Sequence, residues 1–362
     1  LGFDPSQVLT ARLSLPEAPY ARPEQVVELY RSLLERVQGL PGVRAAGVFR
    51  WLPLAAPIGD WGLMVEGYVP PPGEKAKGDW QVASDGALEA LGERIVRGRA
   101  IAATDTAQSL PVVLINEAMA RMYWPGADPI GKRMRMGSNN PNRPWMTIVG
   151  IVRNVRHNGV TAPIKGKFYV PYAQFPLSVG RAIRGMTLAV RTSGPPLALA
   201  GAIRAQVRSL DPNLPMADVR TMTDVVEASL ATQRWTGFLL SLFAGLALLL
   251  AAVGIAGVLA YLVNRGRREI GIRMALGASR TRVLSLVVGR GMTFAAAGIA
   301  CGLAAALVLA RLLAGLVYGV TPRDPATFAA VTLLLAVIAA GACAIPGLRA
   351  ARVEPLEALR SE

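Results

Sequence analysis

The stretch that decides the fold is WTGFLLSLFAGLALLLAAVGIAGVLAYLVN, residues 235–264, which contains no Asp, Glu, Lys or Arg. An α-helix of that length would extend about 45 Å, which exceeds the roughly 30 Å hydrocarbon core of a bilayer. Two further uncharged runs follow at 291–310 and 325–348, with 20 and 24 residues. Together the runs predict an all-α bundle of three transmembrane helices, and this interpretation is favoured over buried core helices of a soluble protein.

The composition supports a membrane protein and excludes several other classes. The 362 residues are 52% hydrophobic and only 17% charged, whereas soluble domains carry about 25% charged residues. The net charge is +15, but the basic residues are spread along the chain without a recognition motif, so nucleic-acid binding is not indicated. A single histidine, His157, and two cysteines inside apolar runs, Cys301 and Cys343, predict no metal site.

The arginines of the short loops predict the orientation in the membrane. Seven lie in 265–290, three in the 349–362 tail and two in the 311–324 loop. Because Arg and Lys near the ends of spans favour the cytoplasm, the first two segments are predicted to be cytoplasmic and the third to lie outside. The residues before the first span are then also outside, although they contain no export signal, so we expect at least one membrane helix upstream of Leu1.

Residues 1–221 are predicted to form an extracytoplasmic α+β domain. The helical spacing in 23–40 predicts one apolar face that comprises Val26, Val27, Tyr30, Leu33, Leu34 and Val37. Helical spacing recurs in 196–210, and Asn116 is a candidate N-cap of a short helix. Residues 222–264 then continue as a stalk plus transmembrane helix, with Thr221 or Thr223 as N-cap. Strands are predicted at 8–13, 43–48, 110–115, 146–152 and 186–190, and an inserted subdomain at about 95–180.

The sequence stretches that resemble catalytic or ligand-binding motifs are better explained by structural roles. The run GADPIGKR, 126–133, matches the spacing of a phosphate-binding loop, but Arg133 replaces the hydroxyl residue that would hold Mg²⁺. We interpret it as a turn between a helix and a basic strand. Asp85, Glu89 and Glu93 follow helical spacing and indicate a solvated face, and His157 is predicted at the surface. No catalytic residue is therefore predicted, and the chain is not expected to be an enzyme.

Small residues within the spans indicate close helix packing. Gly298 and Gly302 form a G-x-x-x-G pair, and Gly254 and Gly257 lie in the first span. Packing within one bundle and dimerisation are both compatible with this pattern.

The cytoplasmic loop carries the most distinctive sequence, REIGIRMALGASRTRVLSLVV at 268–288. This stretch resembles the signature of the MacB/FtsX family of ABC-transporter permeases. Further resemblance covers most of the chain, in LGFDPSQVLTARLSLP at 1–16, LPGVRAAGV at 40–48, VVLINEAMARMYWPGADPIGKRMRMG at 112–137, TIVGIVRNVRH at 147–157, VYGVTPRDPATF at 317–328 and RVEPLEALRSE at 352–362. The pattern is most similar to the duplicated orphan permease (ADOP) subfamily, as a C-terminal half lacking its first transmembrane helix.

The resemblance implies a MacB-type periplasmic core domain and a permease of the bacterial inner membrane, multi-pass and with a cytoplasmic C-terminus. It also implies efflux by mechanotransmission, in which a separate cytoplasmic ATPase binds ATP and drives the periplasmic domains. The chain itself is expected to bind no cofactor. By the same resemblance the ATPase-coupling loop comprises Arg268, Glu269, Ile270, Gly271, Arg273, Met274, Leu276, Gly277 and Ala278.

Expected partners are that ATPase, the lipid bilayer, a second permease half in the same full-length chain or a homodimer, and a periplasmic protein. The alternative is an FtsX-like signalling scaffold that regulates a periplasmic partner without transport. One departure from the family pattern is SDGAL at 84–88, where an aromatic D-Y-F sequence is expected.

Overall fold

The computed structural model describes residues 1–137, 142–265, 272, 279–313 and 325–350. The chain forms two compact units, Leu1–Thr232 and Gln233–Glu362, here called the N-terminal and C-terminal units. The strands of the first are β1 Val8–Ser14, β2 Val43–Phe49, β3 Asp60–Val65, β4 Lys77–Ala83, β5 Ile95–Gly98, β6 Val112–Asn116, β7 Arg133–Met136, β8 Met146–Val152, β9 Lys167–Pro171, β10 Gly185–Thr192 and β11 Met216–Thr221. Its helices are α1 Pro23–Gln38, α2 Ala87–Leu91, α3 Glu117–Tyr123, α4 Phe175–Val179 and α5 Ala200–Leu210, with a short 3₁₀ turn at Pro196–Leu199 before α5.

Four of the strands form an open antiparallel sheet in the order β11-β1-β10-β2. Alternating residues of these strands enter two different hydrophobic clusters, as the period of two in a strand requires. Leu9 and Leu13 of β1 share one cluster with α1 and α5, while Val8 belongs to the other, which contains α2. The predicted α+β character and the predicted strands and helices of this unit are therefore present.

Helix α1 follows the predicted periodicity with one shift of face. Proline at the first position suits the first turn of a helix, and the chain leaves the helix at Gly39. Val27 was expected in the core but is only half-buried, and Leu29 is buried instead. The buried stripe of α1 comprises Val26, Leu29, Tyr30, Leu33, Leu34 and Val37.

The remaining strands pair in a closed circuit. The order β4-β3-β7-β8-β6-β9 is completed by parallel pairing of β9 with β4, and β5 is added on β8. The circuit joins the open sheet through one residue pair, Phe49 of β2 with Ala83 of β4. The circuit contains β3 and β4, which precede residue 95, as well as β6 to β9. The circuit therefore does not coincide with the predicted inserted subdomain at about 95–180, and the boundaries of that subdomain remain a prediction.

Close backbone contact explains the small residues of the SDGAL segment. Gly86 has a φ of +68°, and a Cβ there would lie 2.5 Å from the carbonyl oxygen of Ala46. A Cβ on Gly47 of β2 would lie 2.3 Å from the backbone of Ala87. Helix α2 therefore begins directly on β2, in a space that an aromatic side chain pointing towards β2 would not fit.

The described part of the C-terminal unit is helical. Helix α6 spans Met222–Arg265 and so begins before the boundary between the units, α7 spans Arg280–Leu313 and α8 spans Pro325–Ala350. Helices α7 and α8 pack against each other. One helix in the described residues, at Met222–Val258, is long and apolar enough to cross a membrane, while Met292–Val308 and Phe328–Ala344 are shorter apolar helical stretches.

Candidate functional site

Helix α6 begins with a reciprocal cap and then becomes strongly apolar. The backbone N–H of Asp224 donates to Thr221 Oγ1 at 3.1 Å, and the N–H of Thr221 donates to Asp224 Oδ2 at 2.9 Å. This capping box satisfies amide groups that no helical carbonyl reaches. It confirms the choice of Thr221, and the 44 residues that follow form about 66 Å of helix.

The apolar part of α6 carries large side chains that the other described residues do not cover. Its most hydrophobic window has a mean hydropathy of 2.6 and no buried residue. Trp235, Phe243 and Leu250 are each more than 60% exposed. Exposed aromatic and aliphatic side chains in such a continuous run fit a lipid or a protein environment better than water.

In the described part of the C-terminal unit, helices α6, α7 and α8 line an apolar groove of about 500 Å³. Phe294, Gly298 and Gly302 of α7 contribute to it, opposite residues of α6 and α8. A Cβ on Gly254, Gly257, Gly298 or Gly302 would meet no heavy atom within 4 Å in the described part of the chain. These four glycines therefore bring no described helix into close contact, and their predicted role in packing against another helix or a second half stays a prediction.

All nine predicted coupling residues lie outside the described residues: Arg268, Glu269, Ile270, Gly271, Arg273, Met274, Leu276, Gly277 and Ala278. Within 268–279 the structure describes Ile272, which is 46% exposed, and Ser279, whose carbonyl accepts from the N–H of Arg282 at 3.0 Å. The rest of the predicted loop, from Arg280 to residue 290, forms the first turns of α7.

The N-terminal unit contains a buried polar cluster that the sequence analysis did not identify. It consists of Glu93, His157, Lys167 and Tyr169, each no more than 6% exposed. The Tyr169 hydroxyl donates to Glu93 Oε2 at 2.9 Å, and Lys167 Nζ lies 3.2 Å from His157 Nδ1. Lys167 Nζ also lies 4.5 Å from the centre of the Tyr169 ring. One ammonium group thus contacts both an imidazole and an aromatic face.

Burial controls the charges in this cluster. It raises the pKa of Glu93, an effect that Lys167 and the Tyr169 hydroxyl oppose. It also lowers the pKa of Lys167, against the attraction of Glu93 and Asp79. Burial together with the Lys167 charge holds the pKa of His157 well below its ordinary value. The imidazole is therefore neutral near pH 7 and its Nδ1 accepts a hydrogen bond from Lys167.

Two predictions about this region were wrong. His157 was expected at the surface and Glu93 on a solvated helix face, yet both are buried. His157 follows β8 in a polar sequence, and Glu93 lies two residues after the end of α2, so local polarity gave no sign of the tertiary contacts that cover them. One feature of the sequence could have indicated the cluster: Lys167 begins the otherwise apolar strand 167–171. A lysine in a buried strand requires a polar or charged partner, so its presence predicts a buried polar contact.

A second group of charges borders this cluster. Asn158 Nδ2 donates to Asp79 Oδ2 at 2.7 Å, and Lys165 Nζ lies 3.7 Å from Asp60 Oδ1. Burial, together with the neighbouring Asp60 carboxyl, raises the pKa of Asp79 to about 6. Among the described residues no group of three or more His, Cys, Asp or Glu side chains is placed to hold a metal ion.

The 126–133 segment forms the predicted turn. It connects α3 to β7, with Gly126 and Gly131 at φ of +73° and +82°. The N–H of Ile130 donates to Asp128 Oδ1 at 3.1 Å. This backbone amide is therefore already hydrogen-bonded to a carboxylate and is not free to bind a phosphate.

Comparison with known proteins gives two family matches. The MacB-like periplasmic core domain family matches residues 18–210, more than half of the chain, and the FtsX-like permease C-terminal family matches residues 241–355. The pyoverdine export ATP-binding/permease protein PvdT of Pseudomonas putida is 28% identical over 279 residues, covering 74% of this chain and 40% of that protein. The macrolide export ATP-binding/permease protein MacB of an Azoarcus species is 26% identical over 287 residues, with the same coverage of 74% and 40%.

Among solved structures, the periplasmic region of MacB from Actinobacillus actinomycetemcomitans matches 63% of this chain and 94% of that chain, at 13% identity and a TM-score of 0.43. The chain spans about 40% of the length of the curated relatives it matches. The MacB-like match falls within the N-terminal unit and the FtsX-like match within the C-terminal unit. The chain therefore belongs to the MacB/FtsX family of ABC-transporter permeases, as a membrane protein with a MacB-like periplasmic core domain and an FtsX-like permease domain.

Proposed function

We propose that this chain is the permease part of an ATP-driven exporter that moves its substrate at the periplasmic face of the inner membrane. The observation that carries the proposal is the order of its parts, a MacB-like core at 18–210 followed by an FtsX-like permease domain at 241–355. Two relatives that match 74% of this chain are named export ATP-binding/permease proteins.

We propose further that α6, α7 and α8 are three membrane spans and that the C-terminus is cytoplasmic. The long apolar run of α6, the shorter apolar stretches of α7 and α8, and their exposed large side chains support this arrangement. The seven arginines of 265–290 support a cytoplasmic position for that loop.

Coupling would be mechanical, with ATP bound and hydrolysed by a separate ATPase and with no cofactor or catalytic centre on this chain. The ATPase would dock on the loop at 268–278, where Gly271 and Gly277 permit close backbone approach and Arg273 can pair with acidic groups. Helix α6 runs without interruption from Met222 to Arg265, which supports its use as a stiff connection. A second permease half, in a duplicated full-length chain of the orphan subfamily or in a homodimer, completes the transporter.

The test is ATPase stimulation in lipid vesicles by the full-length protein, with candidate MacB-type ATPases. Gly277→Trp and Arg273→Ala are compared with Arg282→Ala, a matched loss of charge outside the predicted coupling residues. We expect the first two variants to insert normally but to lose stimulation, while the control retains it. Stimulation unchanged in all three would refute the coupling assignment. Absence of stimulation with every ATPase, together with stable capture of a periplasmic protein, would favour the FtsX-like scaffold instead.

A further inference from the structure

A cleft of about 630 Å³ follows helix α1 along the surface of the periplasmic domain. Lining residues of α1 extend from Pro23 to Gln38, about 24 Å of helix. The opposite wall is formed by the 101–108 loop and by the segment 171–177. Small-molecule sites commonly have volumes of roughly 300–1,000 Å³, so the cleft has the size of a ligand site and an elongated shape.

Apolar side chains provide much of the cleft surface. Val27 is the α1 residue that was expected in the core and instead faces this cleft. Leu34, two turns further along the same face of the helix, also lines it, although only 3% of the residue is exposed. Ile101, Tyr172 and Leu177 contribute from the other wall. Leu177 is 40% exposed, so an apolar molecule in the cleft would remove its side chain from water.

The charges around these apolar residues are predominantly negative, although the whole chain carries +15. Five carboxylates line the cleft, from Glu24, Glu28, Glu35, Asp85 and Asp105. Among the lining residues, all of which the structure describes, Arg31 is the single basic side chain, and it is bound between Glu28 and Glu35. With Arg31 and the ion pair that Asp105 forms with Arg99 from outside the lining both counted, the cleft has an excess of three negative charges.

The carboxylates act on one another across the cleft. Burial raises the pKa of Asp85, and the nearby Glu35 and Asp105 charges raise it further. Asp105 is the one carboxylate among the five with an arginine partner from outside the lining, since Arg99 Nη1 lies 2.7 Å from its Oδ2. A positive group placed between Glu35 and Asp85 would relieve this mutual repulsion, whereas an anion would increase it.

We propose that this cleft binds amphiphilic organic cations, molecules that carry protonated amine or amidine groups on an elongated apolar body. The apolar body would cover Val27 and Leu177, and the cationic groups would lie between the carboxylates of α1 and Asp85. As a statement about the exported substrate this inference rests on the proposed function. As a statement about binding it stands on the cleft alone.

The experiment measures binding to the full chain in a neutral detergent, without ATP or ATPase. The probe is DAPI, a planar aromatic dication whose fluorescence rises in apolar surroundings, and anilinonaphthalene sulfonate is the anionic counterpart. Two double variants remove equal charge: Glu28→Gln with Glu35→Gln inside the cleft, and Glu17→Gln with Glu66→Gln, whose carboxylates form ion pairs elsewhere with Arg184 and Arg133. Leu177→Ser tests the apolar wall.

We expect saturable DAPI binding that weakens about tenfold in the Glu28/Glu35 variant, because two carboxylates are lost and Arg31 is no longer neutralised. The Glu17/Glu66 control should stay within about twofold of the parent chain, since long-range charge effects are screened. Leu177→Ser should weaken binding about threefold, and the anionic probe should show no binding that depends on these side chains. Unchanged melting of each variant shows that folding is not the cause.

Failure to see saturable DAPI binding, or equal affinity in all variants, would overturn the proposal. The two proposals fail separately. If the unmodified protein stimulates no candidate ATPase but still binds DAPI, export is refuted and the cation site stands. If it stimulates an ATPase but does not bind DAPI, the site is refuted and export stands.

Discussion

The two opposite charges buried in the periplasmic domain can be tested by Lys167→Met. Lys167 and Glu93 are 3% and 6% exposed; Glu93 accepts from the Tyr169 hydroxyl, and Lys167 Nζ lies 4.5 Å from the centre of the Tyr169 ring. Methionine has about the length of the lysine stem and no charge, so the substitution keeps the packing and removes the ammonium group. Glu93 would then retain one hydrogen bond, from the Tyr169 hydroxyl, and its Oε1 already has no partner among the described residues.

Breaking a directly paired buried ion pair costs about 3–5 kcal/mol of unfolding free energy. Lys167 and Glu93 attract each other at a distance longer than a salt bridge, so we expect Lys167→Met to cost about 3 kcal/mol or less. The loss depends on pH, because Lys167 opposes the burial that raises the pKa of Glu93 from its ordinary 4.5. Without Lys167 that pKa rises further, and the folded chain holds a proton on Glu93 that the unfolded chain releases. The stability of the variant therefore falls as pH rises above the unfolded value. Adding Glu93→Gln removes the uncompensated charge and should restore about 2 kcal/mol.

Tryptophan fluorescence during denaturant unfolding of the full chain in detergent measures these differences. Five of the six tryptophans precede residue 232, and Trp80 lies opposite Phe168, next to Lys167, in the β4–β9 pairing. We expect Lys167→Met to lower the stability strongly at pH 8 and less at pH 5.5, with the double variant between it and the parent chain at pH 8. Equal stability of Lys167→Met and the parent chain at pH 8, or no recovery in the double variant, would refute the reasoning.

Three further predictions concern the same domain. The parent chain should lose stability below about pH 6.5, because the imidazole of His157 binds a proton in the unfolded chain but, with its lowered pKa, not in the folded chain. His157→Gln should remove this part of the acid destabilisation. An unchanged pH profile of the melting temperature would contradict the prediction. Gly47→Val should destabilise by about 3 kcal/mol or more, since its Cβ would meet the Ala87 backbone at 2.3 Å, and normal melting would be inconsistent with that contact. Asn116→Ala should cost about 2 kcal/mol, because Oδ1 accepts from the N–H of Met119 at 2.9 Å, whereas Asn116→Asp keeps the acceptor and should lose less in the same unfolding measurement.

The local elements of this protein follow from the sequence for identifiable reasons. Asn116 caps α3 as expected, because a short amide side chain ahead of an apolar-periodic segment can satisfy the first free N–H groups. Strand β8 was predicted with its observed bounds, Met146–Val152, since its largely apolar run lies between the proline-containing segment 141–144 and Arg153. The uncharged run at 235–264 likewise indicates a long helix, because its hydrophobicity leaves no polar face.

The candidate sites depended on distant residues, and periodicity does not reach them. His157 and Glu93 have the local sequence of surface residues, yet both are buried near Lys167 of β9. Lys167 follows His157 by 10 residues and Glu93 by 74 residues in the sequence. The absence of the expected D-Y-F sequence at 84–88 is likewise explained only by the tertiary contact of α2 with β2.

The sequence by itself determined the membrane class, the α+β nature of the outer domain and the family, because hydrophobic runs, strand and helix periods and motifs are local properties of a chain. Only the tertiary structure decided which charges are buried together and that five carboxylates line one cleft. Those facts depend on the closing of β9 onto β4 and on the packing of α1 beside the 101–108 and 171–177 segments, contacts between residues far apart in sequence whose combination no local pattern encodes.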